Sequence, residues 1–122
     1  MELYNELSCM WQDEIIDQLP ITTALAEDIA DHLKCVELGR VMLAALGPHK
    51  HIYPHIDEGI VPAHYERYHF VITTGEHCLF IVGSEAMTME TGELFWADVR
   101  REHAAVNLGT QERINLIMDI RR

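Results

Sequence analysis

Basic residues are scarce in this sequence. The 122 residues include 9 lysines and arginines against 20 aspartates and glutamates, and the formal net charge at pH 7 is −11. Nucleic acids and anionic membrane surfaces are bound chiefly by basic side chains. We therefore expect neither a nucleic acid nor a membrane to be a partner of this chain. The composition leaves the oligomeric state open.

Long apolar runs are absent and cysteines are few. No apolar run approaches the ~20 residues that a membrane-spanning helix needs. The opening Met-Glu-Leu-Tyr-Asn-Glu-Leu lacks the basic and apolar regions of a secretory signal. Cys9, Cys35 and Cys78 are odd in number and share no spacing typical of a metal site. We expect free thiols in a reducing compartment, and hence a cytoplasmic protein.

Hydrophobic residues, in contrast, make up 48% of the chain, which is enough for one domain with its own core. Leucine, tryptophan and isoleucine recur every four residues near the N-terminus, which predicts an amphipathic helix over about 2–18 that ends at Pro20. A second helix is expected to begin with Thr22 or Thr23 as its cap and to end before Gly39. Its expected buried stripe comprises Leu25, Ile29 and Leu33.

From Arg40 onward, short apolar runs alternate with glycine and proline, a pattern typical of β-strands. The segment Asp57–His64 contains Gly59 and Pro62 and is expected to be a loop. The expected strands are Val41–Leu46, Lys50–His55, Tyr65–Thr73, Cys78–Val82, Glu85–Glu90, Leu94–Ala97, Ala104–Leu108 and Arg113–Ile120.

This order of elements predicts an α+β domain that is mainly β. Residues 1–39 would be a helical support, and residues 40–122 would form an antiparallel barrel of two sheets. Phe95 and Trp96 lie in one of the expected strands, and we expect both to pack in the core. The chain contains no internal repeat and no linker-like segment.

The segment His55-Ile56-Asp57 carries two metal-binding side chains. Alternate residues of a strand point to the same side, so His55 and Asp57 could contact one ion, and His103 from a later strand could complete the set. Two histidines and one carboxylate are the ligands of many non-haem Fe(II) sites, which keep open positions for other ligands. With 8 histidines and 20 acidic residues in the chain, a chance pair of surface residues is the alternative interpretation.

Two expected strands present nitrogen-bearing side chains on one face. Arg67 and His69 share a face of one strand, and Arg113 and Asn115 share a face of the last strand. Arg113 follows His103 closely, so its guanidinium could enter the same cavity and bind a carboxylate through two hydrogen bonds. The alternative is an arginine in solvent at the end of its strand. The other face of the last strand is apolar and comprises Ile114, Leu116, Met118 and Ile120.

Five segments carry a family resemblance through their order and spacing, although none of them is specific alone. They are Ile52-Tyr53-Pro54-His55-Ile56-Asp57-Glu58-Gly59, Arg67-Tyr68-His69, Gly92-Glu93-Leu94-Phe95-Trp96, His103-Ala104-Ala105-Val106-Asn107 and Arg113-Ile114-Asn115-Leu116-Ile117. Together they resemble the aspartyl/asparaginyl β-hydroxylase-like family of 2-oxoglutarate- and Fe(II)-dependent oxygenases.

The resemblance implies a double-stranded β-helix, or jelly-roll, fold. It implies a dioxygenase that uses Fe(II), 2-oxoglutarate and O2 to hydroxylate a C–H bond of an amino-acid or peptidyl substrate, which would be the partner of this chain. His55, Asp57 and His103 match the iron ligands of the family. The animal aspartyl hydroxylases of this family lack the carboxylate ligand, whereas this chain has Asp57.

The resemblance also assigns the co-substrate residues. Arg113 matches the basic residue that binds the distal carboxylate of 2-oxoglutarate. Arg67 and His69 match a strand that lines the co-substrate pocket. The family does not specify which substrate this chain would hydroxylate.

Two other functions remain open at this point. A small cupin would bind a metal without 2-oxoglutarate, and it could use the His49-Lys50-His51 pair together with His103 and Asn107. Asp98 and Arg100, however, stand where cupins prefer proline and glycine. A jelly-roll binding module without iron is the second alternative.

Overall fold

Strands dominate the structure after one N-terminal helix. The structure is a computed structural model that describes residues 20–122, so the helix expected over 2–18 lies outside the described residues. In chain order the described elements are α1 (Pro20–His32), β1 (Glu37–Leu46), β2 (His51–His55), α2 (Ile60–His64), β3 (Glu66–Thr73), β4 (Cys78–Val82), β5 (Glu85–Thr88), β6 (Leu94–Ala97), β7 (His103–Asn107) and β8 (Arg113–Arg121).

The strands form two antiparallel sheets of four strands each. The order is β1-β8-β3-β6 in the first sheet and β2-β7-β4-β5 in the second. Sequence neighbours such as β1 and β2 therefore lie in different sheets, whereas β8 pairs with both β1 and β3. This is the double-stranded β-helix, and the predicted fold class of a mainly β domain with helical support is confirmed.

An apolar cluster drawn from both sheets packs in part of the space between them. Its buried members are Leu46, Val71, Cys78, Phe80, Met89, Ala97, Val99 and Ala105. A second cluster joins α1 to the outer face of the first sheet, and it consists of Ala26, Ile29, Ala30, Tyr68, Leu116, Met118 and Ile120. The helix thus covers the face of β8 that points away from the interior.

The start of α1 differs from the sequence prediction. Pro20 begins this helix, because its fixed φ suits the first turn, where its missing N–H is not needed. Thr23 is not a cap but a buried residue inside the helix, and its hydroxyl donates to the carbonyl oxygen of Pro20 at 3.0 Å. Ile29 is buried as expected, whereas Leu25 and Leu33 are partly buried at the edge of the second cluster.

Two further predictions needed correction. The expected loop over 57–64 contains the short helix α2, whose Pro62 falls in the first turn and is tolerated there. Trp96 is 51% exposed, because alternation along β6 turns Phe95 toward the interior cluster and Trp96 away from it.

Cys35 and Cys78 are free thiols, as expected, and Cys9 lies outside the described residues. Within residues 20–122 no helix combines the length and apolarity needed to cross a membrane.

Candidate metal centre

Three potential metal ligands converge at the end of the second sheet. His55 and His103 are direct partners across β2 and β7, and their ring centroids are 4.2 Å apart. Asp57 lies beyond the end of β2, so strand alternation alone does not place it, contrary to our sequence argument. Its backbone N–H instead donates to the carbonyl oxygen of Val99 at 2.9 Å, which fixes the carboxylate beside the two rings.

The ligand atoms are close enough to share one ion. Nε2 of His55 lies 3.4 Å from Oδ1 of Asp57, and Nε2 of His103 lies 3.9 Å from Oδ2. One donor atom from each residue lies within 4.8 Å of the others. Ligands bound at ~2.1 Å to a common metal are separated by about 3–4 Å. Small side-chain adjustments would therefore bring these three donors onto one ion.

Backbone carbonyls orient both imidazole rings. Nδ1 of His55 lies 2.8 Å from the carbonyl oxygen of Tyr53, and Nδ1 of His103 lies 2.9 Å from that of Arg101. A carbonyl only accepts, so in the neutral form of each ring Nδ1 carries the proton and Nε2 offers its lone pair to a metal. Neither contact could be identified from the sequence.

The cluster is open on one side. The His103 side chain is 8% exposed, whereas those of His55 and Asp57 are 43% and 27% exposed. His103 therefore forms the inner wall of the site, and an ion held here would remain accessible from the side of His55.

All six residues singled out in the sequence line one interior cavity of about 160 Å³ that lies between the two sheets. They are His55, Asp57, Arg67, His69, His103 and Arg113. The volume is well below the ~300 Å³ at which pockets for drug-sized ligands begin. The cavity therefore suits a small molecule.

Arg113 is a buried cation without a partner for part of its guanidinium. It is 2% exposed, and within the described residues its Nε meets no hydrogen-bond acceptor. Burial lowers the pKa of Arg113, since desolvation disfavours the charged form. An unpaired buried charge is strongly unfavourable. An anion inside the cavity would compensate this buried charge.

His69 is neutral and forms part of the same wall. Burial, followed by the charge of Arg113, lowers the pKa of His69 to about 3. Nδ2 of Asn115 donates to Nδ1 of His69 at 3.1 Å, so the ring carries its proton on Nε2. The ring stacks on Phe95 with centroids 5.1 Å apart. Oδ1 of Asn115 is buried without a partner, a second polar atom of β8 that a ligand could satisfy.

Arg67 lines the cavity and is held there by a carboxylate that the sequence interpretation did not include. Its Nε and Nη2 bind the two oxygens of Asp119 at 2.8 and 3.0 Å, and its Nη1 lies 3.5 Å from Oδ2 of Asp57. Asp119 was not among the residues predicted from the sequence to belong to the site. The signal was present, because Asp119 continues the alternation of Arg113 and Asn115 along β8.

A larger groove of about 630 Å³ lies on the other side of Asp57. It shares Asp57, Arg67 and Val99 with the interior cavity. The remaining walls come mainly from β1 and from the segment around α2, including the exposed Ile56 and Ile60. The candidate metal site therefore lies between a small cavity and a wider groove.

Comparison with protein-family models gives one family. The model for aspartyl/asparaginyl beta-hydroxylase matches residues 2–122, which is nearly the whole sequence. The chain belongs to this family. No curated protein matches the chain.

Solved structures support the fold assignment of this aspartyl/asparaginyl β-hydroxylase family member. A cupin 2 conserved barrel domain protein from Salinispora arenicola superposes with a TM-score of 0.51 at 10% identity, over 65% of this chain and 60% of its own. A predicted oxalate decarboxylase from Thermotoga maritima superposes with a TM-score of 0.54 at 17% identity, and the match covers 76% of this chain and 72% of that protein. A cupin domain from Bordetella pertussis superposes with a TM-score of 0.53 at 19% identity, and the match covers 70% of this chain and 84% of that domain. The chain thus spans less than two thirds of the first of these proteins, and at such identities the likeness concerns the fold alone.

Proposed function

We propose that this chain is a 2-oxoglutarate- and Fe(II)-dependent dioxygenase that hydroxylates a C–H bond of an amino-acid or peptidyl substrate. In the reaction, 2-oxoglutarate and O2 are converted to succinate and CO2 while one oxygen atom enters the C–H bond as a hydroxyl group. Family membership supports this activity.

One observation carries the proposal. A cluster of two histidines and a carboxylate and a buried, incompletely paired arginine line the same small cavity. A metal site alone would account for His55, Asp57 and His103 but not for Arg113. A dicarboxylate that reaches from the metal to Arg113 accounts for both, since one end would bind the ion and the other the guanidinium.

The donor set fits Fe(II). Two neutral imidazoles and one carboxylate leave open coordination positions and suit Fe(II), Mn(II), Co(II) or Ni(II). When bound, Fe(II) would supply the O2-activating chemistry of the reaction. In the neutral rings of His55 and His103 the carbonyl contacts place the proton on Nδ1 and direct the Nε2 lone pairs to the ion, and the hydrogen bond from Asp57 to Val99 fixes the position of the carboxylate.

The co-substrate would lie in the interior cavity. Arg113 would bind its distal carboxylate, and this ion pair would be strong because water is largely excluded there. His69, protonated on Nε2 and neutral, would contribute a hydrogen-bond donor without adding charge. Arg67 would act beside Asp57, since two of its nitrogens already bind Asp119.

The substrate would approach through the wider groove. That groove reaches Asp57 from outside, and its open volume suits an amino-acid side chain or a short peptide. Separate routes for co-substrate and substrate would keep the reacting C–H bond next to the metal while 2-oxoglutarate stays enclosed.

A cupin without 2-oxoglutarate is less well supported by the residues it would need. Asn107 is buried and binds backbone, since its Nδ2 donates to the carbonyl oxygens of Leu46 at 3.0 Å and Gln111 at 2.7 Å. Among the described residues, His49 and His51 belong to no cluster with metal-binding geometry. The cupin alternative also gives no role to the buried Arg113.

Succinate release tests the activity. The protein is loaded with Fe(II) and incubated with 2-oxoglutarate, O2 and a panel of free amino acids and Asp- or Asn-containing peptides. We expect succinate in amounts that rise with a hydroxylated product, and none from a His55→Ala, His103→Ala double variant. Hydrolysis of a test ester or amide by the zinc-loaded protein, with no turnover under the oxygenase conditions, would contradict the proposal.

A further inference from the structure

Asp119 is a buried carboxylate with two arginine partners. It lies on β8, in the middle of its sheet, and is 2% exposed. Arg67 on one neighbouring strand binds both of its oxygens, and Nε of Arg40 on the other neighbouring strand lies 3.3 Å from Oδ2. This network lies next to Asp57, a residue of the candidate metal cluster, and needs an explanation.

The strand register fixes the guanidinium of Arg67. Arg67 and Asp119 are direct partners across β3 and β8, and their two parallel hydrogen bonds hold the planar group rigidly. Only Nη1 of Arg67 reaches toward Asp57, and its 3.5 Å contact with Oδ2 is too long for a strong hydrogen bond. The cross-strand pair thus places the cation beside Asp57 without a short hydrogen bond to the carboxylate.

Oδ2 of Asp57 faces both Arg67 and His103 of the metal cluster. Oδ2 is the atom that lies 3.9 Å from Nε2 of His103. If the guanidinium of Arg67 turned fully onto Asp57, it would occupy the oxygens with its own hydrogen bonds and compete with a metal. Loss of the negative charge of Asp119 would also remove the carboxylate shared by two arginines next to a cation site.

We propose that Asp119 is a positioning residue of the metal site. It holds Arg67 in a bidentate pair so that Asp57 keeps its oxygens available for the metal. The inference rests on the proposed function only in requiring that the three clustered residues bind a metal, and it does not depend on turnover or on 2-oxoglutarate.

Two variants separate this role from ordinary structural support. Asp119→Asn keeps the shape of the side chain but removes the charged, bidentate pair with Arg67, and metal affinity should fall about 10–100-fold, as is common for groups that orient metal ligands. Arg67→Met in the Asp119→Asn background removes the competing guanidinium. This double variant should recover most of the lost affinity, a coupling that a structural role would not produce.

Glu37 offers a matched control. It is another partly buried carboxylate of the same sheet, and its partners are His64, Tyr65 and Arg121. None of these four residues lines the cavity that contains the metal cluster. Glu37→Gln should therefore lower thermal stability while metal affinity stays at the value of the unaltered protein.

The experiment is anaerobic calorimetric titration of each purified protein with Mn(II) or Fe(II), without 2-oxoglutarate, together with circular dichroism to verify folding. A weakened Asp119→Asn variant and a recovered double variant are the expected result. Wild-type affinity in Asp119→Asn, or a folded double variant as weak as the single one, would overturn the role of Asp119.

If Asp119→Asn does not fold, the double variant decides, since near-normal affinity supports the role and a loss of tenfold or more overturns it. Absence of metal binding in the unaltered protein would overturn the metal site as well, whereas normal metal binding without succinate release would affect the proposed function alone.

Discussion

The two faces of β8 have opposite compositions although both are buried. The outer face carries Leu116, Met118 and Ile120, which pack against α1. The inner face carries Arg113, Asn115 and Asp119, all at most 2% exposed, with one apolar residue, Ile117, among them. The outer face is a continuous apolar contact, whereas the inner face contains two polar atoms without partners among the described residues.

This difference separates stability from function within one strand. Burial of large apolar side chains stabilises the fold, and α1 provides this burial on the outer face. A buried polar atom without a partner destabilises the fold, so the polar inner face is hard to explain by packing. We infer that the outer face stabilises the domain and the inner face binds ligands, and each prediction below tests this division.

The largest effect is expected from Leu116→Ala on the outer face. Leu116 is fully buried, and removal of such a side chain lowers the free energy of unfolding by about 2–5 kcal/mol. Urea denaturation would measure this loss. Metal affinity should remain unchanged in the folded protein, and a large drop in metal affinity would show that the two faces are not separable.

His69 should give the metal-free protein a pH-dependent stability. Its folded-state pKa of about 3 lies below the ordinary value of 6.5, so the unfolded chain takes up the proton first as the pH falls. Stability from this residue is fully present above pH 6.5 and falls as the pH drops toward 3, by up to about 1.4 kcal/mol per pH unit. Urea denaturation between pH 7 and 4 should show a shallower slope for His69→Gln, and identical slopes would contradict the burial of a neutral His69.

Arg113→Met should weaken the binding of 2-oxoglutarate by at least about tenfold, or ~1.4 kcal/mol, while metal affinity stays nearly intact. Arg113→Lys is the matched control, since it keeps the charge but loses the planar fork, and its loss should be smaller. The free energy of unfolding should not fall in Arg113→Met, because the variant removes a buried charge that lacks a full set of partners. Calorimetric titration with the metal present checks affinity, and equal affinity in the unaltered protein and Arg113→Met would refute the assignment.

The smallest effect is expected from Trp96→Ser. This side chain is 51% exposed and belongs to neither of the two buried clusters. Exposed substitutions of this kind usually change the free energy of unfolding by no more than about 0.5 kcal/mol. A loss comparable to that of Leu116→Ala would contradict the division between buried and exposed faces.

The strand positions and the alternation of β8 could be predicted because they depend on local patterns. Eight short strands and the apolar outer face follow from period-two hydrophobicity. The first residues of α1 were misassigned, since Pro20 can end one helix or begin the next, and sequence alone does not distinguish these roles. The short helix α2 has only five residues, too few for a helical period to be recognised.

The contacts of the candidate site were less predictable because they depend on register between distant strands. Arg67 meets Asp119 across 52 positions of sequence, and no local pattern reports such a pairing. Asp57 was grouped with His55 through strand alternation, but its position depends on a hydrogen bond to Val99 in a loop. The sequence therefore indicated which side chains gather in the cavity but not which of them pair with one another.

Sequential anaerobic titration tests the central claim most directly. The unaltered protein is first titrated with Fe(II) and then with 2-oxoglutarate, and heat is recorded at both steps. We expect one equivalent of metal, followed by one equivalent of 2-oxoglutarate that binds tightly only after the metal. In a His55→Ala, His103→Ala double variant both steps should be lost. Undiminished metal binding by this variant, or a metal-loaded unaltered protein that does not bind 2-oxoglutarate, would contradict the account.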